Sequence, residues 1–167
     1  VKSRDSLDKT VYHVHPFEEI LKLCNNKIYI YIEFKNASAT ATYTMLKKYG
    51  MEKQVLIYIN GIQQFIDWRH VAPDMPLMFS MPNSAKNVDG MKTFIHQVKP
   101  DILDGGWNEY TKEMVQFANE QNIPVWPDIQ NKGEDKDWDT AIALGFKGMQ
   151  TDHPAAFIRY LEEKGLR

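Results

Sequence analysis

The sequence predicts a single α/β domain in which parallel strands alternate with helices, and three observations predict it. Short runs of β-branched and aromatic residues recur along the chain and are typical of buried strands. Stretches with apolar residues at helical spacing lie between these runs. The chain has 167 residues, of which 43% are hydrophobic, and this suffices for one ordinary core. A strand is followed by a helix six times along the sequence, and this alternation implies parallel strands joined by helical crossovers.

The predicted strands are short and rich in Ile, Val, Leu and Tyr. The clearest of them reads Ile-Tyr-Ile-Tyr-Ile-Glu-Phe-Lys and ends with two charged residues. The fourth strand is the shortest and leads into an Asp-Gly-Gly-Trp turn. In chain order the strands are predicted at 28–35, 54–60, 76–81, 102–103, 124–129 and 148–151.

The predicted helices are amphipathic. In the first of them Phe17, Leu21 and Cys24 fall on one face, and Cys24, the single cysteine, is expected in the core. Gly50 is expected to end the second helix, and Asp152 is expected to cap the last helix at its N-terminus. Residues 1–15 are polar and irregular. The helices are predicted at 16–25, 37–49, 61–70, 88–98, 110–121, 138–144 and 154–164.

Two architectures fit this pattern, an open doubly wound sheet and a (β/α)8 barrel of the TIM type. No Gly-rich phosphate-binding turn follows a strand, which disfavours a dinucleotide-binding sheet. A complete barrel has eight strands in about 250 residues. Six βα units in 167 residues therefore predict an incomplete barrel that lacks its first strands and forms one domain, 1–167.

Function in such a barrel lies at the C-terminal ends of the strands. In this sequence those ends carry carboxylates, one lysine and indole groups: Glu33, Lys35, Asn60, Asp104, Trp107, Trp126, Asp128 and Asp152. This concentration of polar and aromatic groups predicts a functional mouth, at which Trp107 and Asp128 are candidate lining residues.

Glu33 and Lys35 stand two residues apart and so share a face of their strand, with Cα atoms roughly 6.5 Å apart. A carboxylate at the end of a buried strand is costly unless a cation meets it. That cation is either Lys35 or a metal ion. A structural ion pair and a solvated strand end are the alternatives.

Composition excludes several classes of function. The net charge of −2 argues against a broad nucleic-acid footprint. No apolar run is long enough for a transmembrane helix, and no secretory leader is recognised at Val1. His13 and His15 alternate as a pair of metal ligands would, although ordinary exposed residues are the simpler interpretation. The sequence does not indicate the compartment.

Three segments together resemble the glycerophosphodiester phosphodiesterase family. The sequence reads Ile-Glu-Phe-Lys at 32–35, Ile-Pro-Val-Trp at 123–126 and Leu-Gly-Phe-Lys-Gly-Met-Gln-Thr-Asp-His-Pro at 144–154. The family has an Ile-Glu-x-Lys strand, a strand that bears a Trp, and a closing Gly-x-x-Gly-x-x-Thr-Asp-x-Pro segment. The resemblance extends over 16–167.

The resemblance implies a (β/α)8 barrel that hydrolyses glycerophosphodiesters to glycerol 3-phosphate and an alcohol, with a bound Ca²⁺ or Mg²⁺. Glu33 matches a metal carboxylate, Lys35 a lysine that faces the substrate phosphate, and Trp126 a tryptophan that lines the glycerol pocket. Carboxylate oxygens suit these hard cations, and a cation with Lys35 would stabilise charge on the phosphoryl group.

The sequence also departs from the family. The His-Arg-Gly, Glu-x-Asp and His-Asp motifs, which supply the acid–base histidines and the other metal ligands, have no match, so the catalytic residues are unassigned. Only a weak likeness to the segment after the second His exists at 4–10, with Arg4 in place of that His. The usual Thr-Val-Asn after the Trp is replaced by Pro127, Asp128 and Ile129.

Three hypotheses remain open. The first is a phosphodiester hydrolase whose activity needs the missing strands. The second is a degenerate domain that binds phosphate esters or partners without catalysis, and the third is another parallel α/β phosphate-binding enzyme. The open edge of an incomplete barrel also predicts self-association or pairing with a partner fragment.

Overall fold

The computed structural model describes residues 13–167, which form helices around one side of a parallel sheet. The strands are β1 (Ile30–Phe34), β2 (Val55–Ile59), β3 (Leu77–Ser80) and β4 (Ile102–Asp104). The α-helices are α1 (Phe17–Cys24), α2 (Ala39–Tyr49), α3 (Ile62–Val71), α4 (Val88–Val98), α5 (Lys112–Glu120), α6 (Trp138–Ala143) and α7 (Pro154–Glu163). Short 3-10 helices cover Asn83–Ala85, Trp107–Glu109 and Glu134–Lys136. Of the predicted irregular stretch 1–15, residues 1–12, with the weak family likeness at 4–10, lie outside the described part.

The four strands are parallel and follow one another in chain order, β1-β2-β3-β4. Their register pairs Glu33 with Tyr58, Tyr58 with Met78, and Ser80 with Asp104. Sequential parallel strands with helical crossovers are the arrangement of a (β/α)8 barrel. The predicted α/β fold with an incomplete barrel is therefore confirmed.

Beyond β4 the sheet continues as isolated bridges rather than as the two full strands that the sequence predicts. Parallel bridges join Leu103 to Val125, Gly106 to Asp128, and Asp128 to Gln150. The backbone is hydrogen-bonded there, since the N–H of Gln150 donates to the carbonyl of Pro127 at 2.9 Å. Prolines at 124 and 127 have no N–H to donate, so no continuous ladder forms.

The main core lies between the sheet and the helices. Phe34 packs edge-to-face on Trp68 of α3, with ring centroids 5.3 Å apart, and Ile57, Ile59 and Leu77 are fully buried. The neighbouring side chains on β1 lie on the opposite face, where Tyr31 is 43% exposed. We call this opposite face the inner face, because it would line the interior of a closed barrel.

A smaller apolar cluster holds the C-terminal helices. It consists of Ile129, Trp138, Ala141 and Phe157, and partly buried neighbours such as Tyr160 pack against it. The Trp138 ring centroid lies 5.1 Å from that of Phe157. This cluster fixes α6 and α7 beside the end of the sheet.

The helix ends agree with the sequence at Gly50 and differ from it at Asp152. Gly50 ends α2 with φ +64°, a conformation that favours glycine. His153, not Asp152, occupies the N-cap of α7, and its side chain makes no capping bond. Because α7 begins at Pro154, Asp152 lies one residue too early to be its N-cap, and its N–H donates to the carboxylate of Glu134 at 3.1 Å. No helix within 13–167 is both long and apolar enough to cross a membrane.

Candidate functional site

Glu33 and Lys35 lie at the C-terminal end of β1, at the edge where the sequence predicts the mouth. Lys35 Nζ lies 3.0 Å from Glu33 Oε1, and the two side chains are 66% and 50% exposed respectively. Phe34 between them is buried against the helices, so Glu33 belongs to the inner face. The structure thus places this ion pair on an open surface, where both groups are accessible to a ligand.

Two tyrosines stand beside this pair on the inner face. The rings of Tyr31 and Tyr58 are stacked, with centroids 5.9 Å apart and planes 20° apart. Burial, followed by the charge of Asp104, raises the pKa of the Tyr31 phenol. Tyr31 is therefore a neutral phenol at physiological pH.

A chain of hydrogen bonds crosses the inner face from β2 to the segment after Gly148. Tyr58 Oη lies 3.0 Å from Ser80 Oγ, and Ser80 Oγ donates to Asp104 Oδ2 at 2.7 Å. Gln150 Nε2 donates to the other oxygen, Asp104 Oδ1, at 2.6 Å. We call Tyr58, Ser80, Asp104 and Gln150 the mouth network. Asp104 is buried and each of its carboxylate oxygens accepts a hydrogen bond, so the position of this side chain is fixed.

Asp128 lies next to this fixed charge. Its backbone bridges to Gly106 on one side and to Gln150 on the other, which places it on the strand-end edge. Burial, then the charges of Asp104 and Asp152, raise the pKa of Asp128 to about 6. A carboxyl with this pKa changes protonation near neutral pH, as a general acid or base must.

Trp126 and Trp107 flank the site on the side of the bridged segments. The Trp126 indole lies directly over Gly148, because a β-carbon built on that glycine would meet Trp126 Cδ1 at 2.8 Å. Trp107 is half-buried against the smaller apolar cluster, and its N–H donates to the carbonyl of Asp128 at 3.1 Å. Trp107 thus contacts the mouth through its backbone and the apolar cluster through its ring.

Glu134 is a fully buried carboxylate behind this edge. Its oxygens accept hydrogen bonds from the Thr151 hydroxyl and from the Asp152 N–H. Burial raises the pKa of Glu134, but the hydrogen bonds from Thr151, Asp152 and the Asn131 backbone outweigh it, and the pKa is lowered. Glu134 thereby ties the loop after Ile129 to the segment that carries Asp152.

The side chains that could bind a metal ion are not grouped together among the described residues. Within 13–167 no three His, Cys, Asp or Glu residues are grouped closely enough to hold a metal ion. Glu33 would supply at most two oxygens, whereas Ca²⁺ takes about six to eight. His15 is paired with Glu19, Nδ1 to Oε2 at 2.8 Å, and both it and His13 are exposed.

Sequence reasoning singled out Asp104 at a strand end but missed its partners in the mouth network. Tyr58 alternates with the buried residues of β2, which is the signal available for it, whereas Ser80 follows three consecutive buried residues of β3 and has no such signal. Their meeting depends on the inter-strand register, which a single sequence does not encode. Gln150 lies 46 residues from Asp104 and carries no local signal at all.

No family model matches the chain, and the search of curated proteins found no match. Solved structures do match. A provisionally assigned glycerophosphoryl diester phosphodiesterase from Silicibacter pomeroyi DSS-3 aligns with a TM-score of 0.75 over 89% of this chain, at 19% identity. The chain has the fold of these phosphodiesterases.

Two further solved phosphodiesterase structures also match the fold of this chain. A glycerophosphodiester phosphodiesterase from Parabacteroides distasonis ATCC 8503 has a TM-score of 0.73 at 13% identity over 89% of this chain. A provisionally assigned one from Galdieria sulphuraria has the same TM-score at 14% identity over 87%. The chain spans only 57%, 64% and 63% of the three structures' own lengths, in the order given.

Proposed function

We propose that this chain is the larger part of a phosphoric diester hydrolase that cleaves glycerophosphodiesters to glycerol 3-phosphate and an alcohol. The observation that carries the proposal is the position of the Glu33–Lys35 pair at the C-terminal end of β1, on the accessible inner face. Active sites of parallel barrels lie at this end of the strands. The likeness to phosphodiesterase structures supports the reaction class.

The roles of this chain's residues follow from their chemistry. Lys35 would place its ammonium group against a phosphoryl oxygen and stabilise the negative charge there. Trp126, held over Gly148, would form an apolar wall for the glycerol carbons. Glu33 would contribute one carboxylate to a Ca²⁺ or Mg²⁺ ion whose other ligands come from residues outside 13–167.

The chain alone is expected to be nearly inactive. General acid–base catalysis contributes about 10²–10⁴-fold, and no family histidine is matched in this sequence. The test compares glycerol 3-phosphate release from glycerophosphocholine by this chain and by the product of the whole open reading frame. Each is assayed with calcium, with magnesium and with a chelator.

The control separates the site from general damage. Glu33→Ala should abolish turnover by the longer protein, whereas Glu113→Ala, at an exposed position on α5, should not. Robust chelator-sensitive turnover by this chain alone would mean that the catalytic groups lie among its own residues. Absence of turnover by the longer protein would contradict the proposal.

A non-catalytic phosphate-ester-binding domain is the second candidate. The observation that favours it is the exposed Lys35 ammonium group at the mouth, which can bind a phosphate ester without cleaving it. On this alternative, glycerophosphocholine binds the longer protein in calorimetry but is recovered intact.

A further inference from the structure

The turn that joins α1 to β1 exposes three large apolar side chains. Leu23 near the end of α1 is 64% exposed, and Ile28 and Tyr29 just before β1 are 62% and 80% exposed. The carbonyl of Cys24 accepts the N–H of Lys27 at 2.9 Å and the N–H of Ile28 at 3.2 Å, which folds these residues into one compact turn. Large apolar side chains that are exposed together mark a candidate binding surface.

Side-chain hydrogen bonds fasten this turn to the turn that joins α2 to β2. Gln54 Nε2 donates to the carbonyls of Cys24 and Ile28, at 2.8 Å and 2.6 Å respectively. Gln54 Oε1 accepts the N–H of Asn26 at 3.0 Å. The backbone of both turns is thereby held in one conformation, which lowers the entropy cost of binding a ligand. We call residues 22–29 and 48–54 together the two-turn surface.

Lysine side chains lie beside the exposed apolar groups. Lys27 and Lys53 are exposed and line one cleft of about 400 Å³, to which Ile28 and Tyr29 also contribute. Neither lysine forms an ion pair with a residue of 13–167. A cleft that combines two such ammonium groups with apolar side chains suits a ligand that is both anionic and apolar.

Two more lysines extend the positive charge of this surface. Lys22 on α1 and Lys48 on α2 share the carboxylate of Glu18, at 3.7 Å and 2.8 Å respectively. One carboxylate cannot neutralise two ammonium groups, so positive charge remains there. The two-turn surface thus sets four lysines against the carboxylates of Glu18 and Glu52, although the net charge of the whole chain is −2.

The two-turn surface lies at the end of the sheet opposite the mouth. Tyr29 and Gln54 immediately precede β1 and β2, whereas Lys35 follows the last residue of β1. Tyr29 and Lys35 are six residues apart along an extended strand, so about 20 Å separates them. A ligand on the two-turn surface therefore leaves the mouth open.

We propose that the two-turn surface docks this protein on an anionic membrane. Leu23, Ile28 and Tyr29 insert among the lipid headgroups, and Lys27 and Lys53 bind lipid phosphates. Surfaces with lysines beside aliphatic and aromatic side chains bind bilayers through both kinds of contact. The mouth then points away from the membrane. The proposal concerns attachment to a lipid surface and does not depend on the hydrolysis proposed above.

The apolar groups favour a membrane over other anionic partners. A nucleic acid offers phosphates, but its backbone offers no apolar layer in which side chains such as Leu23 and Ile28 are buried. An acidic protein offers no continuous apolar layer beneath its charges. A bilayer presents a plane of phosphates above an apolar layer, which matches lysines beside exposed apolar side chains.

Co-sedimentation of this chain with lipid vesicles tests the proposal. We expect binding to vesicles of phosphatidylcholine and phosphatidylglycerol in equal amounts, and binding about 10-fold weaker or more to phosphatidylcholine alone. Lys27→Gln with Lys53→Gln should weaken binding to the anionic vesicles about 25-fold, since each lysine near such a surface contributes about 5-fold. Lys132→Gln with Lys136→Gln, at exposed positions elsewhere, is the matched control and should bind as the wild type does.

A second pair of variants tests insertion of the apolar groups. Ile28→Ser with Tyr29→Ser should weaken binding about 10-fold or more, because burial of one such side chain contributes about that much. Ile62→Ser with Ile66→Ser, at positions of α3 that are 54% and 53% exposed, should have no effect. Circular dichroism and thermal unfolding establish that each variant is folded.

Fluorescence quenching measures the same contact directly. In Tyr29→Trp the added indole should lie among the lipids, so brominated phosphatidylcholine in the anionic vesicles should quench this variant more strongly than the wild type. Ile66→Trp, on α3, should gain no such quenching. Equal quenching of the two variants would contradict insertion at the two-turn surface.

Three further results would overturn the proposal. The first is binding to phosphatidylcholine alone that is as tight as binding to the anionic vesicles. The second is an equal loss of binding in the two lysine pairs, which would assign the binding to overall charge. The third is a folded chain that binds neither kind of vesicle, and binding of a DNA duplex in that case would assign the lysines to nucleic acid.

Discussion

The Trp126 indole rests on the α-carbon of Gly148, with no room for a side chain between them. A β-carbon on Gly148 would lie 2.8 Å from Trp126 Cδ1 and 2.9 Å from Trp126 Nε1. These two residues come from the two bridged segments beyond β4, so their contact fixes how the end of the sheet presents its tryptophan.

Gly148→Ala should force the indole of Trp126 out of its present position. We expect a loss of about 1–3 kcal/mol in the free energy of unfolding, as in other overpacked sites, and a change in tryptophan fluorescence. Urea unfolding measures the first quantity. Gly133→Ala is the control, because a β-carbon there meets nothing closer than 3.8 Å. Equal stability of the two variants would show that Trp126 moves aside freely.

Asp104→Asn should lower the pKa of Asp128 from about 6, because it removes one of the two like charges that raise it. NMR titration of the Asp128 carboxyl carbon measures this. Asp152→Asn should act in the same direction, and Asp89→Asn, at an exposed position of α4, should have no effect. If the pKa of Asp128 were unchanged in both Asp104→Asn and Asp152→Asn, burial alone would account for its raised pKa.

The same shift predicts how stability depends on pH. The folded pKa of Asp128 lies above its ordinary value, so between about pH 4 and 6 the folded state holds more protons than the unfolded state. Ionisation of Asp128 therefore lowers the free energy of unfolding as the pH rises through 6. Asp128→Asn should remove this loss, so that the variant gains stability relative to the wild type at pH 7 but not at pH 4. Urea unfolding at the two pH values checks the sign.

Glu134→Gln should destabilise the loop between Ile129 and Trp138. Gln keeps the size of the side chain but offers one acceptor oxygen where Glu134 uses two, so one bond to Thr151 or to the Asp152 N–H is lost. We expect a cost of about 1–3 kcal/mol, typical of hydrogen bonds to a buried charge. The pKa of Glu134 is lowered in the folded state. The carboxylate therefore stabilises the fold above about pH 4.5, and this stabilisation is lost as the pH falls through the folded pKa.

A double-mutant cycle isolates this contact. Thr151→Val removes the hydroxyl partner of Glu134. If the two groups interact as the structure shows, the double variant should lose less stability than the sum of the two single variants. Strict additivity would contradict a direct bond.

Glu33→Gln and Lys35→Met should barely change the free energy of unfolding. The pair is half-exposed, and exposed ion pairs contribute about 0–1 kcal/mol. Thermal unfolding of both variants measures this. A loss above about 2 kcal/mol would assign the pair a structural role and weaken its assignment to substrate binding.

Sequence reasoning reached the strands and the helices more reliably than the site. The four strands fall within their predicted limits to one or two residues, because runs such as Val55–Ile59 suit only a buried strand. The fifth and sixth strands are predicted as full strands but form only isolated bridges, because the prolines at 124 and 127 interrupt the hydrogen-bond ladder. The position of Glu33 on the inner face followed from alternation alone, while the mouth network required the register between strands.

The network across the mouth has a direction. Ser80 has one hydroxyl proton, and it is committed to Asp104. The Tyr58 hydroxyl must therefore give its own proton to Ser80, and the Tyr58 oxygen keeps only lone pairs for anything that approaches it. A ligand atom that hydrogen-bonds to the Tyr58 oxygen must therefore be a donor. An alcohol or ammonium group can make this bond, whereas an unprotonated phosphate oxygen cannot.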